Sequence, residues 1–358
     1  LTEADVGENI SARATYTDGF GKVETVTSAE TLPVTNRNDS PTGSVTISGT
    51  AAEDQTLSVV STLADPDGLG ALSYQWQADG EDISNANGNT LTLSQNEVGK
   101  AITVNASYTD EGGTFESVTS AASSLITNVD DAPTGDVIIS GTATEDQTLT
   151  LSSTVADEDG VDANTVSYQW YRDGSAISGA TSTSYKLTQN DVEAVITTKQ
   201  SYTDNFGNDH SVTSAATSAV SNVNDDPTGS VTISGTTSQG SELTAVTTTL
   251  ADEDGLGDLS YQWLRDGFDI DGATASTYTL KQDDVGAQIS ARVSYTDGGS
   301  ASEAVESSPS SAVTNVNDDP TGSVTISGTA SQGSELTAIT TTLADEDGLG
   351  DLSYQWLR

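Results

Sequence analysis

The chain has 358 residues, 54 of them acidic and only 11 basic, for a formal net charge of −43 at neutral pH. So strong an excess argues against nucleic acid or anionic lipid as a partner, and the absence of cysteine excludes a disulfide framework. No hydrophobic run is long enough to span a membrane, and a hydrophobic content of 34% leaves two classes, a disordered polyanion or a folded chain that needs cations.

The arrangement of the residues decides for folding. Leu1 to Gly7 aligns with Leu280 to Gly286, so residues 1–40 read as the C-terminal half of a unit that recurs along the chain. The motif Asn-x-Asn/Asp-Asp-x-Pro begins at Asn36, Asn128, Asn222 and Asn315, and its prolines, at 41, 133, 227 and 320, are 92, 94 and 93 residues apart. A period of that length is a whole domain rather than a solenoid coil. Three complete repeats are expected at 41–132, 133–226 and 227–319, with 320–358 the N-terminal half of another. Lacking an initiator Met or signal peptide, the chain reads as a window on a longer protein.

Within the repeat 41–132, SVTISGT (44–50) and QTLSVVSTLAD (55–65) read as the first two strands. In the third, LSYQWQADG, Leu72, Tyr74, Trp76 and Ala78 share one face, and Asp79-Gly80 predicts a tight hairpin turn. NTLTLSQ (89–95) predicts another strand, followed by a short turn. AITVNASYTD then alternates with Ile102, Val104, Ala106 and Tyr108 inward, and FESVTSAASSLI (115–126) closes the unit. About seven short strands with frequent turns predict an all-β fold, a tandem array of immunoglobulin-like antiparallel β-sandwiches.

Trp76, Trp170, Trp263 and Trp356 recur in phase with Leu and Tyr, as core tryptophans do, and not as sugar-stacking ones. His210 is the only histidine, so His-based catalysis or zinc binding is no property of the repeat. No nucleophile–base set, phosphate loop or paired-carboxylate cleft stands out, and an enzyme is not expected.

Three acidic motifs recur. The linkers carry Asp39, Asp131, Asp225 and Asp318. The loop after the second strand carries Asp-x-Asp-Gly, as Asp65/Asp67, Asp157/Asp159, Asp252/Asp254 and Asp345/Asp347. The loop after Ser-Tyr-Thr carries Asp110, Asp204 and Asp297, with Asp18 in the leading half-repeat. In a seven-strand sandwich these three segments share one pole, where four ionised carboxylates repel unless a cation is present. Hard oxygen ligands without His or Cys point to Ca²⁺ in preference to Mg²⁺. Glu53-Asp54 and Glu145-Asp146, in the loop after the first strand, are second-rank candidates donated by the preceding repeat. The third repeat has Gln239-Gly240 there.

The linker, with Ala-Asp-x-Asp-Gly, Leu-Ser-Tyr-Gln-Trp and Ser-Tyr-Thr-Asp, resembles the extender repeats of giant bacterial adhesins of the RTX type. It is also similar to the linker of cadherins, whose joints calcium stiffens. The resemblance covers the whole chain and implies an extracellular rod at a bacterial surface. In that family type I secretion exports the protein, and the linker and Asp-x-Asp-Gly aspartates would be calcium ligands. The glycine-rich nonapeptide repeats of that family are absent, so the secretion route rests on the resemblance alone.

The expected function is therefore a structural extender whose partners are calcium ions and neighbouring repeats of the same chain. Residues 222–265 and 315–358 differ only at Thr237/Ala330 and Val246/Ile339, a duplication that selection for reach tolerates. The alternatives are a repeat-borne glycan- or cell-binding module and an accessory region of a secreted polysaccharide-degrading enzyme. Self-association into fibres is a further partner class. Tail-to-head strand exchange is disfavoured, because joining Arg358 to Leu1 skips the equivalents of Asp266 to Thr279, 14 residues that include a hairpin turn.

Overall fold

The computed structural model describes residues 1–358. The chain is all-β, built of immunoglobulin-like antiparallel sandwiches, and its only helical elements are three-residue 3-10 turns. It divides into two compact units. One comprises Leu1–Ile138, Ser152–Gln169 and Thr198–Ser214; the other comprises Ile139–Leu151, Trp170–Thr197 and Ala215–Arg358. No helix is long and apolar enough to cross a membrane.

In the first unit, β1 (Arg13–Thr17) and β2 (Val23–Thr27) form a hairpin. Then follow β3 (Val45–Ser48), β4 (Thr56–Ser61), β5 (Ser73–Ala78), β6 (Glu81–Asp82), β7 (Thr90–Thr92), β8 (Ile102–Thr109) and β9 (Phe115–Thr119). They make a three-stranded sheet, β3-β4-β7, and a four-stranded sheet, β6-β5-β8-β9. Strand β8 shows why they pack: Ile102, Val104, Ala106 and Tyr108 are buried, and the residues between them are not fully buried. Trp76 is fully buried beside Leu57, Leu93 and Ile126, and its indole N–H donates to the Gly88 carbonyl at 2.9 Å, so the ring buries no unsatisfied donor. Asp79 and Gly80 both take positive φ, 48° and 89°, which closes the two-residue turn between β5 and β6.

Two stretches differ from the expected strands. The strand expected over 89–95 stops at Thr92, because Ser94 and Glu97 cap a 3-10 turn, Gln95–Glu97. The Glu97 carboxylate accepts from the Ser94 N–H at 3.0 Å and from its hydroxyl at 2.7 Å. The strand expected over 115–126 stops at Thr119. Beyond it the hydroxyls of Ser120 and Ser123 accept the N–H groups of Val104 and Ile102, at 3.0 and 2.9 Å, where a ladder would have used carbonyls.

The second unit repeats this plan over 227–319. Thr232–Ser234, Glu242–Val246 and Thr277–Thr279 form one sheet; Phe268–Asp269, Ser260–Arg265, Ile289–Thr296 and Ser302–Glu306 form the other. Trp263 packs with Leu243, Tyr278, Ile289 and Val313. Arg265, half-buried, adds an ion pair to the buried Asp284 (2.6 Å), whose other oxygen accepts from the Tyr278 hydroxyl at 2.8 Å. Burial and that carboxylate push the Tyr278 hydroxyl up to about 12. Arg172, Asp191 and Tyr185 make the same triad, whereas Ala78, Glu97 and Leu91 stand at these positions in 41–132. Trp76, Trp170 and Trp263 are fully buried, but Trp356 is 53% exposed. Residues 270–291, which cover Trp263, follow it in the chain, and 357–358 offer no such cover.

Candidate metal centres at the linkers

Each linker is pinned to the repeat it leads into by the second aspartate of Asp-x-Asp-Gly. The N–H of Asp39, Asp131, Asp225 and Asp318 donates to Asp67, Asp159, Asp254 and Asp347, at 2.5, 2.9, 2.8 and 2.9 Å. The first aspartate serves the loop itself. One oxygen of Asp65, Asp157 and Asp252 accepts the N–H two residues on, at 2.9–3.0 Å, while the other accepts the hydroxyl of Tyr108, Tyr202 and Tyr295 at 2.5–2.6 Å. Burial first, and then this bond, push those three tyrosine hydroxyls up, so they remain donors. Asp345 makes the corresponding turn bond to the Asp347 N–H at 2.9 Å.

The third aspartate closes its loop with one oxygen and leaves the second facing inward. Asp110 Oδ1 accepts from Thr114 at 2.7 Å, and Asp297 Oδ1 accepts from Ala301 at 2.8 Å. Their Oδ2 atoms, like Asp67 Oδ1, are buried and take no hydrogen bond within the chain.

The preceding repeat adds two further groups. Glu53 and Glu145 accept the N–H of Val129 and Val223 at 3.3 and 3.2 Å, and Gln239 accepts that of Val316 at 3.2 Å. The 3-10 turn contributes Gln95 and Gln189, whose amides donate to Asp159 and Asp254 at 3.2 and 3.1 Å. Glu3 holds that position ahead of Asp67, with its carboxyl raised by burial and by Asp67 and Asp39.

Four carboxylate sets bring ligand oxygens within 4.8 Å of one another: Glu3–Asp39–Asp67, Glu53–Asp131–Glu158, Glu145–Asp225–Asp254 and Asp252–Asp254–Asp297. Burial, followed by neighbouring carboxylates, raises Glu53 and Glu145. It also raises Asp131, beside Glu158 and Asp159, and Asp225, beside Asp254. Two groups go the other way. At Asp204 burial is outweighed by hydrogen bonds from Asn208, Phe206 and Gly207, which pull it to about 2. Asp347 is lowered by the Asp318 N–H first, and then by Asn315.

Of the sequence candidates, Asp204 is grouped with Asp130 and His210, not with Asp157 and Asp159. Asp65, Asp110, Asp157 and Asp159 belong to no carboxylate triplet, and neither do Asp318, Asp345 and Asp347, at whose linker Gln239 and Gln282 supply amides; Gln239 donates to Asp318 at 2.6 Å.

The donor set fits a hard cation. A Ca²⁺–O bond is about 2.4 Å, so oxygens on opposite sides of one ion lie about 4.8 Å apart. Ten buried side-chain atoms in the chain lack a hydrogen-bond partner, and nine of them are at linkers. Eight of those are oxygens: Asp67, Asp110 and Asp297, Asn128 and Asn222, and Gln95, Gln189 and Gln282. A half-turn of an amide exchanges its donor for its acceptor, which would turn the glutamine oxygens toward the carboxylates.

The amides carry only a faint mark in the sequence. Their signal was a glutamine two residues after Leu93, Leu187 and Leu280, and the asparagine that opens each linker motif. A Cβ on Gly299 would lie 2.6 Å from the Asn222 amide nitrogen, and one on Gly112 would lie 2.3 Å from that of Asn36, so glycine there gives the asparagine room.

No family model matches this chain, and no curated protein matches its sequence. Among solved structures it is similar to a Ca²⁺-stabilized adhesin that helps an Antarctic bacterium bind ice, with 14% identity over 86% of this chain and 81% of the other (TM-score 0.29). It is similar to a tetra-tandem repeat in the extending region of a large adhesion protein, with 18% identity, 84% and 81% coverage and a TM-score of 0.28. Cadherin domains 1–5 of protocadherin gamma B2 match with 13% identity, 83% and 70% coverage and a TM-score of 0.34.

Proposed function

We propose that this chain is an extender segment of a large bacterial cell-surface adhesin or extracellular fibre. Its tandem sandwiches are stiffened by Ca²⁺ at the linkers and hold a distal binding region away from the cell. The observation that carries this reading is the concentration of partnerless buried oxygens at the linkers, beside carboxylates that burial and mutual repulsion have raised.

At the linker before Pro227, the residues that would hold the ion are Glu145 and Gln189 from the preceding repeat, Asn222 and Asp225 from the linker, and Asp252, Asp254 and Asp297 from the repeat that follows. Corresponding sets are Glu53, Gln95, Asn128, Asp131, Asp157 and Asp159 before Pro133, and Glu3, Asn36, Asp39, Asp65, Asp67 and Asp110 before Pro41. Before Pro320 the set is Gln239, Gln282, Asn315, Asp318, Asp345 and Asp347. The bound ion supplies positive charge and many oxygen bonds. The chain's own part is to bring three segments together: the Val223 N–H holds Glu145 in place, and Asp254 holds the linker backbone. Ligands drawn from both flanking repeats make bending at the linker cost calcium bonds.

A repeat-borne sugar site has less support, since Trp76, Trp170 and Trp263 are buried and present no stacking face. Small-angle scattering of the chain in calcium and in chelator tests the proposal. Stiffening predicts a larger maximum dimension in calcium, and superimposable curves would overturn it.

A further inference from the structure

The linker before the 133–226 repeat departs from its neighbours at three positions together. Asp130 stands where the flanking linkers have Asn38 and Asn224, His210 where the following strands have Glu116 and Glu303, and Phe206 where Gly112 and Gly299 receive the linker asparagine. In the neighbours the pair makes a hydrogen bond: Asn38 donates to Glu116 at 2.7 Å, and Asn224 donates to Glu303 at 3.0 Å. The exchange to Asp and His keeps the two residues opposite one another but loses the bond. His210 Nε2 lies 3.3 Å from Asp130 Oδ1, 3.6 Å from Asp204 Oδ2 and 3.9 Å from Asp157 Oδ2. That nitrogen is buried and has no hydrogen-bond partner. The imidazole is 11% exposed and stacks on Tyr202 at 5.4 Å, while the Asp204 and Asp157 side chains are fully buried.

An imidazole N–H that settles on one carboxylate comes to about 2.7–3.0 Å. A nitrogen held farther off, against several carboxylates, is placed as one ligand among others. In a tetrahedral site with bonds of about 2.0–2.1 Å, neighbouring ligand atoms sit roughly 3.3–3.4 Å apart. The spacings of 3.3 and 3.6 Å to Asp130 and Asp204 fall near that edge. Asp204 Oδ2 also accepts the Asn208 side-chain amide at 2.8 Å and keeps a further lone pair, whereas Asp157 is farther away and accepts the Tyr202 hydroxyl with the same oxygen. Imidazole nitrogen is a poor ligand for calcium and a good one for zinc, copper and nickel ions.

We propose that Asp130, Asp204 and His210 form a binding site for a borderline divalent cation of the Zn²⁺ class, specific to this one linker. The ion would join the linker, the loop that carries Asp204 and the strand Asp209–Thr213, where the linkers before Pro41 and Pro227 use the Asn–Glu hydrogen bond. The site goes beyond the calcium reading, because it requires the only histidine in the chain.

The test is a Zn²⁺ titration of the tag-free 358-residue chain, with and without saturating Ca²⁺, followed by calorimetry and by the imidazole proton resonance. The single histidine gives an unambiguous signal, and Co²⁺ serves as a visible probe. The control is the double variant Asp130→Asn with His210→Glu, which installs the pair found at the neighbouring linkers and so retains a latch. We expect one tight Zn²⁺ equivalent, a shifted histidine resonance and visible Co²⁺ bands. The double variant should lose that equivalent while its calcium isotherm stays unchanged. An unshifted histidine resonance at full Zn²⁺ occupancy would overturn the proposal, whatever the variant does. So would an equal Zn²⁺ equivalent in the double variant. Failure of the calcium reading would appear separately, as a flat calcium isotherm in both proteins.

Discussion

Replacing Glu145 with Gln separates two roles of one carboxylate. Glutamine keeps an oxygen for the Val223 N–H, as Gln239 does for Val316 at the next linker, but it removes the charge. The Glu145 carboxylate has oxygens of Asp225 and Asp254 within 4.8 Å. At that separation two like charges repel by about 3 kcal/mol for an effective dielectric of ~20. Solvent screening at the linker lowers the two pairs together to about 1–2 kcal/mol. Without calcium, Glu145→Gln should therefore stabilise the repeat, raising its melting temperature by roughly 5–10 °C for a sandwich of this size. With calcium the sign reverses. One charged ligand is lost, and affinity at this linker should fall by about tenfold, or ~1.4 kcal/mol. Differential scanning calorimetry in chelator and a calcium titration read the two effects. The reverse change, Gln239→Glu, should lower the melting temperature in chelator and tighten calcium binding before Pro320. If Glu145→Gln lowers the melting temperature in chelator and leaves the calcium isotherm unchanged, Glu145 is a structural acceptor and the reasoning fails.

Three further outcomes follow from the same contacts. Glu53 and Glu145 are raised by burial and by their carboxylate neighbours, so their stabilising contribution is present in acid and is lost as pH rises through their raised values. In chelator, acidifying from about pH 7 to about pH 5 should raise the melting temperature, whereas in calcium the same step should lower it, since the ion needs ionised ligands; a fall under both conditions would contradict the account. The opposing contribution of Asp204 is lost only as pH falls toward about 2, outside that window. Asp284→Ala strands the half-buried Arg265 guanidinium and the buried Tyr278 hydroxyl and should cost about 2–4 kcal/mol in urea unfolding, with or without calcium; a calcium-dependent loss would mean that Asp284 acts at a linker. Gly299→Ala forces the Asn222 amide aside and should weaken calcium binding before Pro227 severalfold, with little change in the chelator melting temperature; an unchanged isotherm would remove Asn222 from the site.

The sandwich was legible because its signals are local. Alternation in Ile102–Tyr108 fixes which side chains face inward, and Asp79-Gly80 can supply the two positive φ angles that the hairpin needs. The expected strands ran too long where side chains imitate the backbone. Nothing in the composition of Ser120 and Ser123 says that their hydroxyls will take ladder positions, or that Glu97 will fold back onto Ser94. The aspartates of the linker and of Asp-x-Asp-Gly stand out as candidates in the sequence because repetition exposes them. Gln95, Gln189 and Gln282 do not stand out in the sequence, because a glutamine in a short turn has no distinguishing chemistry until the next repeat is set against it. His210 occurs once, so repetition gives it no weight, and its place opposite Asp130 is visible only in the fold.

Calcium at the linkers is the central claim, and diffraction from crystals grown in calcium tests it most directly. Data collected at a wavelength where calcium scatters anomalously should show a peak among Glu145, Asp225, Asp254 and Asp297, with equivalents at the other linkers, each at about 2.3–2.6 Å from its oxygens. Well-ordered linkers with no anomalous peak, their carboxylate oxygens bridged only by water, would contradict it.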